Sequence, residues 1–89
     1  MAPEGDQHFV YIVECTDGTL YTGYAQDLEA RIKTHNAGRG AKYTRGRRPV
    51  KLLYAEIHDS KGGALRREQE IKAKTRAAKL ELIQSGQNY

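Results

Sequence analysis

FVYIVECTDGTLYTGYA, residues 9–25, holds two runs rich in β-branched and aromatic residues with a turn signal between them. Phe9 to Cys15 reads as one strand and Leu20 to Ala25 as a second. Thr16-Asp17-Gly18-Thr19 joins them, and Asp-Gly between two such runs marks a hairpin. The loop length decides which side chains share a face. A two-residue Asp17-Gly18 loop would pair Cys15 with Leu20 and Tyr11 with Tyr24, sending Tyr11 and Tyr21 to opposite faces. A three-residue loop with Gly18 in a bulge places both tyrosines on one face. If the two serve one site, the odd-length loop is required.

Reading outward from the hairpin, Asp27 predicts a helix N-cap, with the helix running to about Ala37. Leu28 and Ile32 give that helix a buried stripe, Glu29 and Lys33 form an exposed pair four residues apart, and Gly38 suits the C′ position. Residues 38–49, GRGAKYTRGRRP, read as a Gly-rich basic loop with one helical turn near Ala41 to Arg45. Val50 to His58 is a third strand. Ser60 caps a helix from Lys61 to about Thr75, and Thr75 or Arg76 begins a last helix ending near Gly86. The order ββα(α)βαα predicts an α+β fold: a three-stranded antiparallel sheet, made of the N-terminal hairpin plus one later strand, flanked by helices. Residues 9–85 form one domain, with residues 1–8 and 86–89 as tails.

A chain of 89 residues allows one domain with a modest core. With 38% apolar and 29% charged residues, the composition is that of a folded rather than a disordered chain. There is no apolar run of membrane-spanning length, and no basic and apolar leader precedes Phe9. The single cysteine, Cys15, excludes an internal disulfide and a multi-cysteine zinc site and reads as a small core residue. These features predict a cytoplasmic protein with no membrane association.

The net charge of +4 is unevenly spread. Residues 1–30 contain six acids and no Lys or Arg, whereas residues 31–89 hold all fifteen Lys and Arg against five acids. Such asymmetry predicts a basic surface facing an anionic partner, with nucleic acid the usual one. Arg39, Lys42, Arg45, Arg47, Arg48 and Lys51 lie within thirteen residues with no acid among them. With Tyr43 interleaved, the stretch suits phosphate contacts and stacking on an unpaired base. Contacts of this kind favour shape over base sequence.

Helical geometry singles out Glu68. Relative to Ala64, residues Glu68, Ile71 and Thr75 fall at about 40°, 340° and 20°. Glu68 therefore lies within the inward stripe, where a carboxylate is costly unless paired, hydrogen-bonded or bound to metal. An internal salt bridge, with Arg31 as its candidate partner, is the structural alternative. Glu70 falls between Arg66 and Lys74, an ordinary solvated network. In the first helix, Arg31 and His35 project together from the edge of the stripe; Arg grips phosphate oxygens with two hydrogen bonds, and His relays protons near neutral pH. Tyr11 and Tyr21 sit on the two hairpin strands.

Taken in order, these residues resemble the GIY-YIG nucleases. Val10-Tyr11 stands where the family has Ile-Tyr, and Tyr21-Thr22-Gly23 stands for Tyr-Ile-Gly. Arg31 and His35 match the helix-borne Arg and the following His or Tyr. Glu68, with Ile71 and Lys72 after it, resembles the metal-binding Glu followed by an apolar residue and a Lys. The resemblance covers roughly residues 9–75 and is nearest to short stand-alone, single-domain bacterial members of unassigned role. The stretches at 35–38 and 42–45 also resemble the nuclease subunit of structure-specific resolvases. The chain departs from the pattern at Phe9, which replaces the first Gly, and at Tyr24, where many members carry Lys. It also has no Asn soon after the catalytic helix; the only later one is Asn88.

The resemblance implies a metal-dependent endonuclease acting on DNA ahead of RNA, selective for structure rather than sequence, with ties to repair. It implies one Mg²⁺ or Mn²⁺ on Glu68, with Arg31 neutralising phosphate charge. Tyr11 or Tyr21 takes a proton from the attacking water, with His35 as relay, provided a nearby Arg or metal lowers the phenol's pKa. Gly23 is the motif's structural glycine, and Lys72 joins the basic loop among the nucleic-acid contacts. Two further classes are consistent with the sequence: a catalytically silent nucleic-acid-binding module, and an accessory protein of a larger repair or recombination partner.

Overall fold

Three residues, Thr16, Asp17 and Gly18, turn the chain between the first two strands. Cys15 N–H donates to Thr19 O at 2.8 Å, Gly18 N–H donates to Cys15 O at 2.9 Å, and Gly18 takes φ +86°. Glycine adopts that left-handed conformation without a Cβ penalty. Asp17 braces the turn by accepting from Thr19 N–H at 3.1 Å and from its hydroxyl at 2.7 Å. The odd loop length sets the register. Tyr11 lies opposite Gly23 and Val13 opposite Tyr21, so Tyr11 and Tyr21 share a face.

The computed structural model describes residues 7–86, so residues 1–6 and 87–89 of the two sequence-read tails lie outside it. Its elements are β1 (His8–Glu14), β2 (Leu20–Ala25), α1 (Leu28–Asn36), α2 (Lys42–Arg45), β3 (Lys51–His58), α3 (Lys61–Lys72) and α4 (Arg76–Ser85). The sheet is antiparallel with order β2-β1-β3, and an irregularity between Ile12 and Val13 shifts the β1–β3 register. The chain is therefore α+β with a three-stranded antiparallel sheet, as the hydrophobic pattern predicts.

β1 is central and buried on both sides, so its two faces define two cores. Phe9, Tyr11, Val13 and Cys15 face one way and pack with Leu28 of α1 and Val50; Ile32 lies against them. Val10 and Ile12 face the other way and pack with Tyr54, Ala64 and Ile71, joined by Leu82 and Ile83 of α4. Caps end the helices as their residues dictate: Asp27, Ser60 and Thr75 each accept a backbone N–H from the first turn of α1, α3 and α4.

Three local expectations are corrected. α3 stops at Lys72, and Thr75 is not on its inward stripe; the Thr75 hydroxyl instead accepts Ala78 N–H and opens α4. Glu70 pairs with Arg67, three residues back, at 3.2 Å rather than with Arg66 or Lys74. Arg67 is drawn that way because it also grips Glu56 of β3 through contacts of 3.0 to 3.1 Å. Glu29 and Lys33 are both exposed but are not among the ion pairs of the described residues. Solvation of two long side chains outweighs so weak an attraction.

Glu56 anchors α3 to the sheet on the second face. It accepts from Arg67, from Tyr54 Oη at 2.5 Å and lies 2.9 Å from His58 Nε2. Burial pushes its carboxyl up, but these hydrogen bonds hold it below the usual carboxylate range. Thr22, on the same side of the sheet, is only 2% exposed, and its hydroxyl has no partner among the described residues. Replacing it by the isosteric Val removes a desolvated group without opening a cavity. Thr22→Val is expected to stabilise the fold by about 1 kcal/mol, raising the melting midpoint by roughly 4–8 °C in a circular-dichroism melt.

Candidate active site

Tyr11 is wholly buried, so its hydroxyl needs a partner inside the protein. It finds one in His35, with Tyr11 Oη 2.8 Å from Nε2. His35 Nδ1 lies 2.8 Å from Thr44 Oγ1, and the Thr44 hydroxyl donates to Ala41 O at 2.9 Å. A hydroxyl has one proton. Because Thr44 gives its proton to Ala41, it must accept from His35 Nδ1–H. Neutral His35 then has a bare Nε2, and Tyr11 O–H donates to it. Burial, and after it the Arg31 charge, holds His35 below its ordinary value of 6.5, so the neutral ring is the working form at pH 7.

Two glycines make room for this chain. A Cβ at Gly23 would lie 2.4 Å from the Tyr11 hydroxyl oxygen, and one at Gly40 would lie 2.3 Å from His35 Nδ1. Gly23 thus has the structural place expected for it. Gly40, Ala41 and Thr44 were not distinguished by sequence. The only available signal was that Thr44 is the small polar residue in a four-residue turn otherwise made of Lys, Tyr and Arg.

The other candidate residues gather around this pair. Tyr21 meets the His35 ring edge-on, with centroids 5.5 Å apart. Arg31 acts electrostatically on both Tyr11 and His35, and its Nε–H is buried with no partner among the described residues. Glu68 comes from α3, between the fully buried Ala64 and Ile71, and its side chain is 13% exposed. Its negative charge bears on Tyr11. Its ion-pair partner is Lys72 at 3.3 Å, not Arg31, and Lys72 Nζ lies 6.0 Å from the Tyr21 ring centroid. Tyr11, Tyr21, Arg31, His35 and Glu68 are therefore neighbours drawn from β1, β2, α1 and α3. No three His, Cys, Asp or Glu residues cluster together among the described residues.

The condition for a phenol to act as base, a lowered pKa, is not met at Tyr11. Burial pushes the Tyr11 phenol up to about 12, which outweighs the downward pull of Arg31. Tyr11 is thus a firm proton donor to His35 in the free protein, while Tyr21 is the half-buried phenol of the two.

The basic loop divides into two groups. Arg39, Lys42 and Arg45 are exposed and have no side-chain partner among the described residues. Arg47 is instead clamped: it pairs with Asp17 at 3.0 Å, donates to Tyr43 O at 2.8 Å, and sits 4.1 Å over the Tyr43 ring. Arg48 donates to Arg45 O at 2.9 Å and Asn36 O at 3.4 Å, so it closes the loop on itself. Tyr43 stacks on Tyr21 at 5.8 Å and is 39% exposed. With Tyr21 and Arg47 already against its ring, Tyr43 joins loop to site before it can serve as a platform for a base.

The sheet order, the facing tyrosines and the helix-borne Arg, His and Glu define a GIY-YIG catalytic domain. The chain belongs to that family, whose model matches residues 7–81. It is 60% identical over 81 residues to a UPF0213 protein of Staphylococcus epidermidis, covering 91% of this chain and 99% of that one. It is 62% identical over 78 residues to a UPF0213 protein of Staphylococcus aureus, covering 88% and 95%. Among solved structures it resembles the solution NMR structure of a UPF0213 protein from Bacillus halodurans, with TM-score 0.58, 49% identity, and coverage of 88% of this chain and 83% of that one. A protein of E. faecalis solved by NMR gives TM-score 0.60 at 33% identity, covering 93% and 92%.

The hydrogen-bond chain is directly testable. ¹⁵N NMR of the imidazoles is expected to show His35 in the Nδ1–H form, titrating below 6.5. Because its folded value is depressed, the associated stability is complete above 6.5 and declines as the pH falls from there toward the folded value. Thr44→Val strands the buried Nδ1–H and is expected to cost about 1–3 kcal/mol in urea denaturation.

Proposed function

We propose that this protein is a divalent-metal-dependent endonuclease that hydrolyses phosphodiester bonds, acting on DNA and selecting by structure rather than by base sequence. The observation that carries the reading is the convergence of a largely buried carboxylate, Glu68, with the unpartnered Nε–H of Arg31 beside two phenols. A buried, unpaired guanidinium donor is costly unless an anion completes it, and a phosphate oxygen does so.

The donor set fits a hard divalent cation. Glu68 offers one carboxylate, and Mg²⁺ commonly binds through one or two carboxylates plus substrate phosphate while keeping several waters. Both ring nitrogens of His35 are already engaged, which leaves oxygen as the ligand type at this spot. When bound, Mg²⁺ or Mn²⁺ supplies positive charge that polarises the scissile phosphate and stabilises the departing oxygen.

The chain's own residues do the remaining work. Arg31 orients the phosphate and balances charge that builds up on it. Tyr21, the half-buried phenol, acts as a base only as the phenolate: its own proton leaves to solvent first, and the phenolate oxygen then takes one proton from the attacking water. Tyr11 and His35 act as positioning residues: their buried hydrogen bond fixes the floor on which Tyr21 rests. Lys72 leaves Glu68 for the phosphate as substrate arrives. Arg39, Lys42 and Arg45 supply exposed charge for the flanking backbone.

One observation favours a second reading, a silent nucleic-acid-binding module. The Lys72 ammonium, 3.3 Å from Glu68, already neutralises the carboxylate that would hold a metal. The two readings part in a cleavage assay on labelled single-stranded, nicked and branched DNA and on RNA, with Mg²⁺ or Mn²⁺ and with chelator. The nuclease reading expects metal-dependent cutting, with Glu68→Ala and Arg31→Ala each lowering kcat by about 10²–10³-fold. Tight binding without cutting selects the silent module. Cutting that survives Glu68→Ala removes Glu68 from the mechanism.

A further inference from the structure

A groove opens beside Tyr43, bordered by Thr19 and Leu20 of the hairpin and by Arg76 and Lys79 of α4. It continues from the candidate site, because Tyr43 stacks on Tyr21 and Tyr21 touches His35. Arg76 gives one N–H to Gly18 O at 2.7 Å, which fixes the guanidinium at the groove's rim. Lys79 is half-buried on the next turn of α4. Neither has a carboxylate partner among the described residues, whose ion pairs all lie elsewhere.

This arrangement has an electrostatic cost. Burial, and after it the nearby Lys72 charge, holds the Lys79 ammonium below the usual lysine range. Lys72 is itself tied to Glu68 of the candidate site. Arg76 and Lys79 thus border the groove, and the Lys72 charge, beside Glu68 of the candidate site, acts on Lys79 from outside its lining. Like charges set side by side without an acid between them are relieved by a bound anion. A nucleic-acid strand supplies anions at regular intervals, so a strand with one phosphate at Arg31 has another to place further along.

We propose that Arg76 and Lys79 form a second phosphate subsite, which holds a backbone phosphate flanking the one that is cleaved. The proposal rests on the nuclease reading and extends it: α4, which carries none of the family's motif residues, becomes part of the substrate surface. It also gives the groove a strand direction, from the tyrosine pair toward the hairpin turn.

The test is equilibrium binding in chelator, so that cleavage does not intervene. A fluorescein-labelled single-stranded oligonucleotide is titrated with the full chain across a salt series and followed by anisotropy. Lys79→Met keeps the packed stem, and Arg76→Gln alters an exposed residue. Each is expected to weaken binding about tenfold at low salt and to lower the slope of log K against log salt by about 0.7, the loss of one phosphate contact on a single strand. Lys33→Met, on α1, is the control for simple loss of charge and is expected to leave the slope unchanged. Variants that match this control overturn the subsite and leave the nuclease reading standing. A wild-type chain that binds no oligonucleotide overturns both. If Lys79→Met does not melt as a folded protein, Arg76→Gln alone decides the matter.

Discussion

The hydrogen bond between Tyr11 and His35 is the constraint around which the rest of this molecule is arranged. Both rings are fully buried, so each polar atom must be satisfied from within. Satisfying Tyr11 requires α1 to cross the sheet with its last turn over β1. Satisfying the other side of His35 requires the loop after α1 to fold back and offer Thr44. Room for the two rings requires glycine at 23 and at 40. Strand, helix and basic loop are thereby joined by one chain of four polar groups, which ends at a backbone carbonyl.

The two faces of the sheet then divide the labour. The face carrying Tyr11 and Tyr21 gathers the polar residues of the candidate site beneath α1 and the loop. The opposite face holds α3 and α4, fixed by apolar burial and by the Glu56–Arg67 grip. Glu68 bears on Tyr11 although its helix packs on that second face, beside the fully buried Ile71. Asp17 has a comparable double role. It braces the turn that sets the tyrosine register and also holds Arg47, so the basic loop is pinned to the same three residues.

Much of the fold was legible because its signals are local. The Asp17-Gly18 turn, the caps at Asp27 and Ser60, and the Gly38 stop depend on neighbours within four residues. Glu68 was legible for a related reason: helical periodicity alone put a carboxylate among inward positions. The errors came where distant partners compete. Glu70 turned to Arg67 because Glu56, on another strand, had already placed that guanidinium. Arg47 and Arg48 belong to a run of cations that looks uniform in sequence, yet contacts with Asp17, Tyr43, Arg45 and Asn36 tether these two while Arg39, Lys42 and Arg45 keep no side-chain partner among the described residues. A base role for either phenol required a lowered pKa, and at Tyr11 desolvation, a property of the assembled core, outweighed Arg31.

By itself the sequence determined the α+β order, the hairpin, the family and the candidate residues, since each follows from spacing, periodicity or turn chemistry along the chain. Only the tertiary structure decided the tautomer of His35, the role of Thr44 behind it, the lysine that meets Glu68, and which loop cations stay exposed. Those facts depend on which groups become neighbours when water is excluded, and burial and hydrogen-bond partnership are properties of the packed molecule rather than of the order of its residues.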